Sequence, residues 1–178
     1  MAARRPAPGG GASAAWTCAF AAALTEMSAA FTRGDGSGGD ATAVEARAQQ
    51  LRRSALELAE RELDSYAPVL EAMRSQPGPC RQQSIQAALS DAAEAPLEIA
   101  RRAAEIAELG LVALRNGRDQ LRGDAVTGIL LAEAACASAV QLVELNLSGV
   151  ADDVRRTEVR RLAERAFAAR CAALQARS

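Results

Sequence analysis

Two carboxylates, Asp124 and Glu62, one phenol and a run of glycines are the parts of this sequence that could do chemistry. The chain contains no histidine, which excludes Ser-His-Asp and Cys-His machinery and any histidine metal site. Proton transfer therefore falls to carboxylates, Tyr66, cysteine or arginine. Glu62 and Tyr66 stand four residues apart and share one face of a helix. Burial beside an apolar seam would raise the pKa of such a glutamate and make it an acid near neutral pH. The alternative is a solvated bundle flank for Glu62 and simple packing for Tyr66, its hydroxyl satisfied by a neighbour. Pro6-Ala7-Pro8-Gly9-Gly10-Gly11 runs into a nearly uniform apolar stretch. Three bare glycines before a helix leave open N–H groups that suit an anion or a ligand oxygen; a plain flexible tail is the other reading.

Cys18, Cys80, Cys136 and Cys171 are far apart and lack Cys-x-x-Cys spacing, so they predict buried thiols in a reducing cytoplasm and no metal site. The 21 basic residues, all arginine, nearly balance 22 acidic ones, which gives no electrostatic case for nucleic acid or a membrane surface. Arg4 and Arg5 precede an apolar run, but a proline-glycine break separates the two, and alanine makes a weak signal or membrane segment.

The elements that must position these groups are helical. About a quarter of the 178 residues are alanine, and the length suits a single domain over 1–178. Five helices are predicted. The first runs from about Ala12 to Thr32 with Glu26 as its one charge, and an apolar surface all round predicts burial all round. Residues 33–40 form a glycine-rich loop; its match to G-x-G-x-x-G follows a helix rather than a strand and is coincidental. The second helix, about Ala41 to Arg74, has a seam of Leu56, Ala59, Leu63, Tyr66, Leu70 and Met73, with a kink or break at Pro68. The third starts near Arg81 and is interrupted by Pro96. After the proline come a stripe of Ile99, Ala103, Ile106, Gly110 and Leu114 and a stop at Asn116-Gly117. The fourth, Asp124 to Leu147, is again apolar all round, with Asp124 as its cap and Glu144 in need of an arginine partner. The fifth, about Asp152 to Gln175, faces Val159, Leu162, Ala166 and Ala169 inward. Short loops predict an antiparallel bundle.

The opening Pro6–Gly11 run with its alanine helix resembles the start of the cyclodeaminase/cyclohydrolase family. Ser84-Ile85-Gln86-Ala87-Ala88-Leu89 and Ala95-Pro96-Leu97-Glu98 resemble its third helix. Gly123-Asp124-Ala125, Leu130–Ala135 and Leu145-Asn146-Leu147 resemble its fourth. The resemblance implies an all-α homodimer that exchanges C–N bonds at one amidine-like carbon of formimidoyl- or methenyltetrahydrofolate. It makes Asp124 a catalytic carboxylate, since that position keeps the family residue, with Glu62 as the second. Gly9, Gly10, Gly11, Ser13, Tyr66, Leu142 and Asn146 become substrate-binding positions, although Asn146 could equally bridge helices. Several polar positions depart from the pattern. Ala12 stands where serine follows the glycines, Asp35 replaces a lysine, Leu142 an asparagine and Glu144 a basic residue. Such changes on a kept scaffold imply a cyclase that closes or opens a ring on a small non-folate molecule, without metal or cofactor, in the cytoplasm. Folate cyclodeaminase or cyclohydrolase activity, with a tetrahydrofolate derivative as substrate, is the alternative. A non-catalytic helical binding protein is the third reading.

Overall fold

A computed structural model describes residues 8–33, 39–150 and 152–176, and among these the regular structure is entirely helical. The elements are α1 (Gly10–Arg33), α2 (Gly39–Ser65), α3 (Ala67–Arg74), α4 (Pro79–Ala92), α5 (Glu94–Asn116), α6 (Arg122–Asn146) and α7 (Val154–Gln175), with a 3₁₀ turn (Asp119–Leu121) before α6. They are the five expected rods, two of them broken in two beside a proline. Pro68 falls in the first turn of α3, where its missing N–H costs nothing, and Tyr66 marks the break. Ahead of Pro96, Ala93 separates α4 from α5. The expected loop between the first two rods lies, over 34–38, outside the described residues, as do Pro6, Ala7 and Asp35.

Cross-helix contacts fix the directions. Gly11 meets Glu62 and Glu26 meets Arg52, so α1 and α2 are antiparallel. Gly10 meets Leu142 while Gly128 meets Ala21, so α1 and α6 are antiparallel as well. Gly110 meets Ile129 and Ala92 meets Asn146, which opposes α5 to α6. Arg101 pairs with Glu158 and Arg165 with Glu108, so α5 and α7 run together. Thus α1, α5 and α7 point one way, and α2 and α6 the other. One end of the bundle gathers the N-termini of α1 and α5 with the C-termini of α2 and α6. The α3–α4 hairpin spans that same end.

α1 packs against α2, α5 and α6. The interior is built largely of alanine: Ala15, Ala21, Ala22, Ala59, Ala100, Ala103, Ala104, Ala107, Ala132 and Ala139 are all fully buried. The α5 stripe is buried as expected, and so is the α7 face of Val159, Leu162, Ala166 and Ala169. On α2 the expected seam is corrected. Leu56, Tyr66 and Met73 are exposed, whereas Ala59 is buried as expected, together with Ala41, Val44, Ala48, Leu51, Ala55 and Leu58. A rod that packs on the alanine face of α1 presents its smaller stripe, and the bulkier one is left outside.

All-round burial of the two apolar helices is also corrected. Phe20 and Phe31 of α1 and Leu145 of α6 are 67%, 54% and 65% exposed. By length and hydropathy both helices could cross a membrane, contrary to the reading from alanine content; about half of each spanning window is buried in the bundle. Cys18 and Cys136 are buried as expected, but Cys80 is exposed. Glu144 finds its arginine partners on α7, Arg156 at 2.7 Å and Arg160 at 2.8 Å.

Helix contact is closest where glycine permits it. A Cβ on Gly110 would lie 2.6 Å from Ile129 Cγ1, in the middle of the α5–α6 contact. Gly110→Ala should lower the unfolding free energy by about 1–3 kcal/mol, the usual scale of overpacking, as read by urea denaturation. A neutral substitution would show that the two helices part freely here.

Candidate functional site

At the end of the bundle where α1 begins lies a crevice of about 180 Å³, lined by Gly9, Gly10, Gly11, Glu62, Ser65, Tyr66, Ala92, Pro96, Leu142 and Asn146. Its floor is the first turn of α1, which Gly9 helps to close by accepting from the Ser13 N–H at 3.1 Å and the Ser13 hydroxyl at 2.8 Å. The walls are the last turn of α2 with Tyr66, the last turns of α6, and the α4–α5 joint.

Glu62 is the one carboxylate among the lining residues. Its side chain lies across Gly11 so closely that a Cβ there would overlap the carboxylate, Oε2 first. The glycine run therefore has a definite task at this position: it leaves room for a carboxyl group over the start of α1. Oε1 is buried without a hydrogen-bond partner. Burial pushes the Glu62 carboxyl up to about 7, partly offset by the Ser65 hydroxyl, which also donates to the Glu62 backbone carbonyl at 3.1 Å. A group titrating there can both give and take a proton at neutral pH. Cys18 and Cys136 offer no competing thiolate, because burial pushes each up to about 12.

Seven of the expected site residues come together in this crevice: Gly9, Gly10, Gly11, Glu62, Tyr66, Leu142 and Asn146. Ser13 lies one turn further along, in an adjoining depression of about 260 Å³ that shares Gly10 and Leu142 with the crevice. Leu142 stands between the two, its methyls 3.8 and 3.9 Å from the Cβ position of Gly10. Asn146 Nδ2 donates to the Ala92 carbonyl at 3.0 Å, so it does bridge helices.

Asp124 is not in the crevice. It lies in the first turn of α6, and the 22 residues from Asp124 to Asn146 place it about 33 Å along the helix axis, at the opposite end of the bundle. Nor is it the cap: α6 starts at Arg122 after Leu121, with no side-chain capping bond. Ser65, Ala92 and Pro96 complete the lining and were not expected there. Pro96 gave a signal in the sequence as a helix break, though not as a wall.

The sign of the pH effect follows from the raised carboxyl. The unfolded chain releases this proton near the ordinary 4.5 and the folded chain near 7. Between those values unfolding releases a proton, so the contribution of Glu62 to stability falls as pH rises from 4.5 to 7 and stays low above. Thermal melts should show the parent losing stability relative to Glu62→Gln across this window. Gly11→Ala, which displaces the carboxyl, should lose most of that dependence. Parallel curves for parent and Glu62→Gln would contradict the buried carboxyl.

A family model described as formiminotransferase-cyclodeaminase matches residues 1–165. No curated protein sequence matches the chain significantly. Among solved structures, formiminotetrahydrofolate cyclodeaminase from Thermotoga maritima superposes with a TM-score of 0.82 at 25% identity, covering 98% of this chain and 87% of that one. The glycine floor, the broken rods and the order of the helices thus have one common explanation: the chain belongs to the formiminotransferase-cyclodeaminase family.

Proposed function

We propose that this chain is a cyclodeaminase that acts on a formimidoyl-tetrahydrofolate, with Glu62 as its proton carrier. One observation carries the reading: a half-buried carboxyl lies against the glycine floor of the crevice with one oxygen covered and unpartnered, and that burial pushes it up to about 7. The reaction needs a group of that kind. The folate N10 attacks the formimidoyl carbon, a new C–N bond forms, and N10 gives up its proton. The bond from that carbon to the terminal nitrogen then breaks, and the nitrogen leaves as ammonia once it is protonated. With the formimidoyl group entering in its protonated, amidinium form, one carboxylate takes the N10 proton and delivers it to the departing nitrogen, so ammonia leaves, the methenyl bridge keeps the positive charge and the enzyme returns to its starting state. The glycine floor adds no side chain between the carboxyl and the reacting carbon, and the crevice holds the two nitrogens close, which favours ring closure.

The non-folate substrate expected from the altered polar positions finds no support. Family membership and the likeness to a folate enzyme favour the reading placed second. Of the departures behind the non-folate reading, Asp35 lies outside the described residues. Leu142 is an apolar partition on which a flat ring can pack. Ligand pockets commonly measure about 300–1,000 Å³, so the crevice takes the reacting part and the rest of a folate would extend past Leu142 toward Ser13. Asp124 has no part in this proposal.

Glu62→Gln keeps the shape of the side chain and removes its proton. Formimidoyltetrahydrofolate turnover, followed by appearance of the methenyl product, should fall by about 10²–10⁴-fold with little change in melting temperature at acid pH. Turnover equal to the parent would remove Glu62 from the chemistry. Absence of any turnover by the parent, together with no calorimetric binding of tetrahydrofolate, would sink the folate reading.

A second copy of the chain is the natural cover for the exposed aromatic and aliphatic side chains of α1 and α6. Light scattering at low micromolar concentration should give about twice the chain mass. A monomer would leave Phe20, Phe31 and Leu145 as plain surface.

A further inference from the structure

Pro96 has no backbone N–H, so the carbonyl four residues earlier, that of Ala92, cannot receive its helical hydrogen bond. The neighbouring bonds of the joint are intact: Ala93 donates to Leu89 O at 3.1 Å, and Leu97 donates to Ala93 O at 3.1 Å. Ala92 is itself buried, so few partners can reach its carbonyl. The donor comes from another helix. Asn146 Nδ2, at the end of α6, reaches the Ala92 carbonyl at 3.0 Å. Ala92, Pro96 and Asn146 all line the crevice that contains Glu62.

We infer that Asn146 is a positioning residue: its side-chain amide takes the place of the N–H that Pro96 lacks and pins the α4–α5 joint to α6, which fixes that wall of the crevice. This rests on the reading of Glu62 as the reacting group. It also sets the orientation of the Asn146 amide. With one Nδ2 hydrogen committed to Ala92, the side chain keeps Oδ1 as an acceptor and its second Nδ2 hydrogen as a donor toward a ligand. Arg155 braces the same joint from α7, donating to the Ser90 carbonyl at 2.9 Å and the Ser90 hydroxyl at 2.7 Å. It does not reach Ala92, so the amide bridge is not duplicated among the described residues.

The joint supplies its own test. Ala93 keeps right-handed helical dihedrals, φ −76° and ψ −19°, so an N–H at position 96 would point back to the Ala92 carbonyl. In a Pro96→Ala background the bridge becomes redundant. Asn146→Leu should lower kcat/KM for formimidoyltetrahydrofolate about ten-fold in the parent and less than about two-fold in the Pro96→Ala background. The acid–base midpoint of the pH–rate profile should fall with Asn146→Leu, as a loosened wall admits water to Glu62, and should recover in the double variant. Equal losses in both backgrounds would overturn the inference and make Asn146 a direct ligand contact. If Asn146→Leu alone fails to fold, folding of the double variant is the same rescue, and failure of both overturns it. The melting-temperature cycle needs no substrate. Should even the parent fail to turn over folate, non-additive melting shifts would sustain the bridge while the functional reading fell, and additive shifts would overturn the bridge too.

Discussion

Alanine and glycine around α1 are the constraint from which the rest follows. Small residues let the other helices approach the α1 backbone closely, and the approach is tightest where there is no Cβ at all. The Gly11–Glu62 contact is the functional extreme of that packing. A carboxyl group occupies space that any other residue at position 11 would fill. The same closeness dries the carboxyl and raises its pKa. Core packing and site chemistry are thus one arrangement at the start of α1.

The prolines provide the second half of the site. The break at Tyr66 separates α2 from α3, and Tyr66 itself lines the crevice. The joint at Ala93 leads the chain into α5, at the cost of an orphaned carbonyl that α6 answers through Asn146. Charged pairs among arginines and glutamates decorate the outside. Arg47–Glu105 and Arg165–Glu108 are largely exposed and add little each. The arginine forks at Glu144 and at the α4–α5 joint sit where helices meet and fix angles rather than supply much stability.

Much of this was legible in the residues. Periodicity placed the five rods, proline placed both breaks, and the spacing of Glu62 and Tyr66 put both at the crevice. Local signals misled where the answer was global. The three-and-four spacing on α2 fits more than one stripe, and the one that packs on alanine-rich α1 runs through Val44, Leu51, Ala55 and Leu58 rather than Leu56. Asp124 looked catalytic because its immediate surroundings keep the family pattern. Helix length and direction place it at the opposite end of the bundle from Glu62, and no short motif carries that information. For Asn146 the sequence left two roles open, and the missing N–H of Pro96, four residues after Ala92, was the unused clue.

The central claim is that a carboxyl held against the glycine floor titrates near neutrality, and carbon-13 NMR can read it directly. Protein labelled at the glutamate side-chain carboxyl would be titrated from acid to alkaline pH, with the Glu62 resonance assigned by its loss in Glu62→Gln. The account predicts a midpoint close to 7 for this one glutamate, moving toward the ordinary 4.5 in Gly11→Ala. A midpoint near 4.5 in the parent would contradict it, because a glutamate with that ordinary value is not desolvated against the glycine floor.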